Sequence, residues 1–193
     1  MEREKRRCCW VNLQNPLYVK YHDEEWGVPL HDDQGLYELL ILESFQAGLS
    51  WECVLNKRES FRLAFDRFDI DKICVYGEEK IEALMGDPAI IRNRRKITAA
   101  VKNSAVFKKI QAEYGSFANY IWSFTDGKTV FEEFTVRTTS PLSDAVSADL
   151  KRRGMTFVGT TIMYSYLQAI GVINGHEKPC ACNQGEQYQS HEI

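Results

Sequence analysis

The chain has 193 residues, the size of one domain. Apolar residues make up 44% and charged residues 26% of it, which is the composition of a folded globular protein and argues against a disordered chain. The net charge of −3 excludes a uniformly basic nucleic-acid coat protein, although it leaves room for a local basic surface.

The N-terminus, MEREKRR, is charged and has no apolar segment behind it. No stretch reaches the roughly 20 apolar residues that cross a bilayer, so neither a secretory signal nor a membrane span is expected. We therefore expect a cytoplasmic protein. In a reducing compartment, the six cysteines indicate buried thiols, metal ligands or nucleophiles rather than a disulfide framework.

Helical periodicity runs from residue 33 to residue 171, which predicts the helical body of a single domain covering residues 1–193. Residues 33–47 are apolar nearly all round, as in a helix buried in a core. Further helices are predicted over 51–65, 69–74, 77–85, 93–114, 116–124, 143–153 and 159–170. Ser50 and Ser143 are the predicted N-caps of two of them.

Strand signals are scarce, so the predicted fold class is all-α. Segment 130–139 is richer in Thr, Val and Phe and gives the weakest helical pattern. Residues before 33 and after 171 are predicted to be irregular, and 183–193 to form a flexible tail. Irregular ends of this kind need something to hold them in place.

Cysteine and histidine occur in both irregular segments, 8–32 and 172–182. The candidate metal ligands are Cys8, Cys9, His22, His176, Cys180 and Cys182. Two cysteines with two histidines form a set that tetrahedral Zn²⁺ prefers. A metal here would join the two ends of the chain and close a long loop. Spacing alone leaves open which cysteine of each pair would bind, and whether the residues are related at all.

Glu43 falls within the apolar circle of predicted helix 33–47. Burial there would raise the pKa of the carboxyl group, which would need a partner or a ligand. A core glutamate paired with an arginine is an equal alternative. Aromatic residues lie near the same elements: Trp10, Tyr18, Tyr21, Trp26, Phe45 and Trp51. Such residues most often form core, but a carboxylate among aromatic faces can also receive a flat cationic group.

A basic run, RNRRK, follows the Asp87–Pro88 turn and opens predicted helix 93–114. Free N–H groups and positive charge at a helix start can bind phosphate. A helix, a tight turn and a basic helix start are typical of a helix-hairpin-helix that binds the DNA backbone. The candidate contacts are Arg92, Arg94 and Lys96, and a solvated charged surface is the alternative.

Six segments together resemble the type I 3-methyladenine DNA glycosylases, a family of the helix-hairpin-helix glycosylase superfamily. They are CCWV from Cys8, YHDEEWGVP from Tyr21, LESFQAGLSW from Leu42, IIRNR from Ile90, FVGTT from Phe157 and NGH from Asn174. They follow the family's order over nearly the whole chain. The resemblance implies an all-α helix-hairpin-helix glycosylase fold whose two ends are joined by zinc.

The resemblance also implies roles for single residues. The zinc ligands map to Cys8, His22, His176 and Cys180, and the metal is structural. Glu43 is the implied base-recognising carboxylate. The aromatic residues expected around it are Trp10, Tyr18, Tyr21, Trp26 and Trp51. Leu49, on the turn between two helices, is a candidate wedge that fills the space left by a flipped base, with a core leucine as the alternative.

The implied function is excision of 3-methyladenine from alkylated double-stranded DNA, leaving an abasic site, by a monomer without membrane contact. Two departures from related chains stand out. The superfamily aspartate that assists water attack has no match here, and Ala89 stands where relatives often carry glycine in the hairpin. The alternative from another class is a non-catalytic, zinc-stapled DNA-binding module, which needs no buried carboxylate.

Overall fold

The computed structural model describes residues 5–133 and 137–183, so the predicted tail lies outside the described residues except for Asn183. The helices within these residues are α1 Pro16–Glu24, α2 Asp33–Gln46, α3 Trp51–Leu55, α4 Arg58–Ala64, α5 Ile70–Ile73, α6 Glu78–Gly86, α7 Arg94–Tyr114, α8 Phe117–Ser123, α9 Pro141–Arg152 and α10 Thr160–Ala169. A 3₁₀ turn spans Asp66–Phe68, and β1 Val130–Phe131 pairs in parallel with β2 Ile173–Asn174.

Helix α2 lies at the centre of the core, which confirms the buried helix predicted over 33–47. It contacts α3, α7, α8 and α10. Its fully buried apolar residues are Leu36, Leu40, Ile41, Leu42 and Phe45. Asp32 caps its start by accepting a hydrogen bond from Gly35 N at 2.8 Å. Asp33 then accepts bonds from Phe117 N and Ala118 N, so the start of α2 is also joined to α8.

Helix α7 follows the prediction over 93–114 closely because both of its ends carry local signals. The side chain of Asn93 accepts a hydrogen bond from Lys96 N, and Gly115 ends the helix. Helix α8 likewise begins after Ser116, whose hydroxyl accepts from Asn119 N at 2.9 Å.

Two predicted boundaries are wrong. The single helix expected over 51–65 is two helices, α3 and α4, separated at Asn56 and Lys57. The N-cap of α9 is Ser140 rather than Ser143. Ser143 instead closes a capping box, in which its hydroxyl accepts from Ser140 N at 2.8 Å. Pro141 takes the first helical position, which suits a residue without an N–H group.

The prediction of an irregular segment over 8–32 is also wrong in part, since α1 occupies Pro16–Glu24. Asn15 caps this short helix, and only Tyr21 and His22 of it are buried. Leu17 is exposed whereas His22 is fully buried, so the apolar pattern of this segment does not follow the helical period. The strand pair is a second departure from a purely helical chain, because β1 pairs with a segment some 40 residues away in sequence.

The two ends of the described chain meet: Ala181 N donates to Arg6 O at 2.9 Å. Over residues 5–133 and 137–183, no helix is both long enough and apolar enough to cross a membrane.

Candidate functional site

A cavity of about 180 Å³ lies beside α2, where α1, α3 and α10 approach it. Its lining residues are Trp10, Tyr18, Tyr21, Trp26, Glu43, Gln46, Trp51, Arg137, Ser165 and Gln168. The structure therefore brings Glu43 together with all five aromatic residues expected around it. The sixth candidate aromatic residue, Phe45, is fully buried and packs against Phe61 with ring centres 4.8 Å apart.

Glu43 is only 2% exposed. Its Oε2 atom has no hydrogen-bond partner, and no basic side chain within the described residues forms an ion pair with it. Burial raises the pKa of this carboxyl group well above its ordinary value. The alternative of a core glutamate neutralised by an arginine does not describe this residue.

Unpartnered polar atoms converge on the same cavity. Besides Glu43 Oε2, the buried atoms Gln46 Oε1 and Trp51 Nε1 lack a hydrogen-bond partner, and both residues line the cavity. Buried polar atoms without partners are rare in folded proteins, because each carries a desolvation cost. Two acceptors and a donor left open at one cavity indicate a polar ligand.

Aromatic rings form the walls of the cavity. Trp10 contacts Tyr18 and Trp26, with ring centres 5.4 Å and 4.9 Å apart. Tyr21 packs against Trp51 at 5.1 Å. Burial and the nearby Glu43 carboxyl raise the pKa of Tyr21 well above its ordinary value, so its phenol stays neutral. The cavity thus offers flat apolar faces around one acidic group.

A second cluster joins the two ends of the chain. Cys8, His22, His176 and Cys180 are all buried, and their ligand atoms lie within 4.8 Å of one another. Cys8 Sγ lies 3.4 Å from His176 Nδ1, and Cys180 Sγ lies 3.5 Å from His22 Nε2. Two thiols and two imidazoles at these distances fit a tetrahedral metal site.

The outer nitrogen of each histidine has its own partner. His22 Nδ1 lies 2.8 Å from Asp23 Oδ1, and His176 Nε2 lies 3.1 Å from Trp26 O. Such bonds orient an imidazole so that its other nitrogen faces a metal. Burial lowers the pKa of His176 to about 4, so the ring is in the neutral form that a metal needs. Glycine at position 27 leaves room for this ring. Its φ is +77°, and a Cβ atom there would lie only 3.1 Å from His176 Nε2.

The other two candidate cysteines stand outside this group of four. Cys9 is exposed, and its backbone N–H donates to Glu177 Oε1 at 2.8 Å. Cys182 is half-buried and belongs to a smaller group with His22 and Asp23.

The predicted DNA contacts occupy different environments. Leu49 is 42% exposed on the turn after α2, and Arg92 is exposed before α7. Arg94 is exposed and pairs with Glu78 and Glu82 of α6. Lys96, by contrast, is 7% exposed, and its ammonium group donates to backbone carbonyls of residues 45 and 47. The prediction that Lys96 faces a phosphate therefore needs correction: its charge is directed into the protein.

Four residues of the cavity lining are not among the candidates predicted from the sequence: Gln46, Arg137, Ser165 and Gln168. Gln46 lies about one helical turn after Glu43, so its position on the same face of α2 could have been inferred. The other three come from distant parts of the chain and carry no local signal.

Comparison with known proteins agrees with this architecture. The family model for methyladenine glycosylases matches residues 10–183. DNA-3-methyladenine glycosylase 1 of Escherichia coli (strain K12) is 43% identical over 185 residues, which cover 94% of this chain and 98% of that protein.

Solved structures are similar as well. A crystal structure of a 3-methyladenine DNA glycosylase I has a TM-score of 0.88 and 44% identity, covering 92% of this chain and 100% of that one. A structure of 3-methyladenine DNA glycosylase I from Staphylococcus aureus, described as the structural basis of its recognition of 3-methyladenine, has a TM-score of 0.84 and 36% identity. It covers 87% of this chain and 92% of that one. The chain belongs to the methyladenine glycosylase family.

Proposed function

We propose that this protein is a base-excision repair glycosylase that releases 3-methyladenine from alkylated DNA and leaves an abasic site. The observation that carries the proposal is the unpartnered carboxyl group of Glu43 in a cavity walled by aromatic rings. Gln46 and Trp51 add an open acceptor and an open donor. A purely apolar ligand would leave all three atoms unsatisfied, so the cavity suits a flat polar base.

Charge distinguishes the damaged base from normal adenine. Methylation at N3 gives adenine in DNA a positive charge, whereas the unmodified base is neutral. Aromatic faces and a carboxylate both attract a cation. A cation bound next to Glu43 also favours the ionised carboxylate, which offsets the effect of burial on its pKa. The pocket therefore selects the lesion by charge as well as by shape.

The same charge makes the base a good leaving group. The oxygen of a water molecule bonds to C1′ of the deoxyribose, and the C1′–N9 bond breaks. The electron pair of that bond neutralises the departing 3-methyladenine, while one proton of the water passes to solvent. Since the base leaves neutral, it needs little acid catalysis, and Glu43 contributes by binding and orienting it.

Double-stranded DNA is the proposed partner, and the lesion must leave the base stack to reach the cavity. We propose that exposed Leu49 fills the vacated position and that the α6–α7 helix-hairpin-helix contacts the backbone through Arg92 and Arg94. The pairs of Arg94 with Glu78 and Glu82 are exposed and therefore weak, so a phosphate can compete for this guanidinium group.

We further propose that Cys8, His22, His176 and Cys180 hold a structural Zn²⁺ ion. Their buried sulfur and nitrogen atoms supply four ligands, which leaves no open position for water. Such an ion would stabilise the joined ends of the chain without taking part in base release. We also propose that the protein acts as a monomer in the cytoplasm. A single-protomer mass by light scattering, with and without DNA, would test the monomer.

Base release is the direct test of the function. Methylated duplex DNA is incubated with the protein, and the freed bases are separated by chromatography. We expect 3-methyladenine from the wild type and a loss of about 100-fold for Glu43→Gln, which keeps the shape of the side chain but removes its charge. Glu24→Gln is a matched control, because Glu24 is an exposed carboxylate on α1. Absence of free 3-methyladenine from folded wild-type protein would falsify the proposal.

Free-base binding separates an enzyme from the alternative, a non-catalytic zinc-stapled DNA-binding module. A glycosylase with this pocket should bind 3-methyladenine itself in a calorimetric titration. A module that binds only the DNA backbone should bind duplex DNA and give no heat of binding when it is titrated with the free base.

A further inference from the structure

Lys96 is a buried cation that links the start of α7 to the end of α2. It is the third residue of α7 and only 7% exposed. Its Nζ atom lies 2.8 Å from Phe45 O and 2.5 Å from Ala47 O. The last carbonyls of a helix have no partner within the helix, so Lys96 caps α2 from a different element. The helix that it caps is the one that carries Glu43.

The turn after α2 depends on these same carbonyls. Leu49 N donates to Gln46 O at 2.6 Å, and Gly48 has a φ of +79°, which favours glycine. Three consecutive carbonyls, at residues 45, 46 and 47, are thereby satisfied, two of them by one ammonium group. The side chain of Leu49 projects from this turn.

A buried ammonium group is an unusual way to end a helix. Burial lowers the pKa of Lys96, which reflects the cost of keeping the charge away from water. No carboxylate within the described residues forms an ion pair with it. Water or further backbone N–H groups would satisfy the same carbonyls without this cost. The two hydrogen bonds from Lys96 instead make the position of the Leu49 turn depend on α7.

We propose that Lys96 is a positioning residue that holds the Leu49 turn in a fixed relation to Glu43 and to the start of α7. Binding of the α6–α7 hairpin to the backbone, insertion of Leu49 and capture of the base would then occur in one rigid arrangement. This inference rests on the proposed function. Its consequence is specific: the arrangement matters for duplex DNA, where a flipped base leaves a gap, and much less for a single strand, which has no such gap.

The test uses one methylated oligonucleotide, either single-stranded or annealed to its complement. For Lys96→Met we expect release from the duplex to fall about tenfold, because two hydrogen bonds to a charged group are lost. Release from the single strand should change by less than about twofold, and binding of free 3-methyladenine should persist. Lys102→Met is the matched control, since Lys102 is an exposed lysine on the same helix. Lys96→Arg, which keeps the charge and several donors, should restore part of the duplex activity.

A double-mutant cycle connects Lys96 with Leu49. Leu49→Ala should reproduce the duplex-specific loss, and Leu49→Ala combined with Lys96→Met should be no slower than the slower single variant. Additive losses would overturn the proposed link. If Lys96→Met instead slows release equally from duplex and single strand, and this loss disappears at low salt, the positioning role is overturned. Such a result would indicate that Lys96 contacts a phosphate.

Hydrogen exchange gives a readout that does not depend on activity. The amide of Leu49 should exchange faster in Lys96→Met but not in Lys102→Met. Unchanged exchange would overturn the positioning role, whereas wild-type protein that releases no base from either substrate would overturn the proposed function. If Lys96→Met does not fold, Lys96→Gln takes its place in every arm.

Discussion

The indole ring of Trp26 meets the imidazole ring of His176 edge to face, with ring centres 4.6 Å apart and an interplanar angle of 88°. Trp26 lines the cavity that holds Glu43, while His176 belongs to the Cys/His cluster. Trp10 makes a second connection, since its ring centre lies 5.2 Å from that of His22. The cluster and the cavity therefore share a wall, and a change in one should be measurable in the other.

Removal of the proposed zinc should lower the melting temperature and weaken binding of 3-methyladenine together, because the ligands hold Trp10 and Trp26 in place. Calorimetry and thermal melts before and after chelation check this, and restoration by added Zn²⁺ is the control. If folded, metal-free protein binds 3-methyladenine with unchanged affinity, the cluster and the cavity are not coupled through a shared wall.

The choice between neighbouring cysteines can be tested by metal analysis. Cys8→Ser and Cys180→Ser should each reduce bound zinc, because both sulfur atoms lie in the buried group of four. Cys9→Ser and Cys182→Ser should retain the ion, and Cys53→Ser is the control because Cys53 belongs to neither Cys/His group. Zinc that is retained after combined replacement of Cys8 and Cys180 would rule out this ligand set.

Glu43→Gln should stabilise the DNA-free protein at pH values above the folded-state pKa of Glu43. Burial raises the folded-state pKa of Glu43 above its unfolded value, so any stability from this group is present at low pH and lost as the pH rises through the folded pKa. Glutamine does not ionise. The variant should therefore gain stability relative to the wild type as the pH rises through the folded pKa of Glu43, and show no such gain well below it. Thermal melts from acidic to alkaline pH check the sign, with Glu24→Gln as control. A pH-independent difference would argue against a raised pKa.

Trp51→Phe should weaken binding of free 3-methyladenine by up to about tenfold, the effect of one lost hydrogen bond. It should affect stability less than a typical Trp→Phe change, because Trp51 Nε1 has no partner in the protein. Trp122→Phe provides the contrast, since Trp122 Nε1 donates to Leu30 O at 2.9 Å and lies away from the cavity lining. That variant should lose stability and keep its base affinity. If Trp51→Phe instead loses stability and keeps its affinity for the free base, Trp51 does not donate a hydrogen bond to the base.

Arg137→Gln should weaken binding to duplex DNA while leaving free-base affinity unchanged. Arg137 is an exposed cation in the cavity lining, and no carboxylate of residues 5–133 and 137–183 forms an ion pair with it. In the proposed mechanism, a flipped nucleotide would bring its phosphates towards this group. The slope of log affinity against log salt should become smaller by about one. An unchanged slope would mean that Arg137 does not contact phosphate.

Local signals explain which helices could be predicted. Helix α7 has an asparagine cap at one end and a left-handed glycine at the other, and both act within a few residues of the chain. Helix α1 is not predicted because its first turn is started only by Asn15 and Pro16 and only Tyr21 and His22 of it are buried. The strand pair is not predicted because Val130 pairs with Ile173 across a long stretch of chain, and no local pattern indicates so distant a partner.

The sequence by itself determined that Glu43 lies inside an apolar helix, since periodicity fixes the face on which a residue stands. It also supplied two cysteines and two histidines near the chain ends, and the motifs that mark the family. Only the tertiary structure decided which atoms meet: Cys8 Sγ with His176 Nδ1 across 168 positions, and Lys96 with the end of α2 rather than with solvent. Periodicity specifies a face of a helix, whereas the partner of a side chain depends on how distant elements pack together.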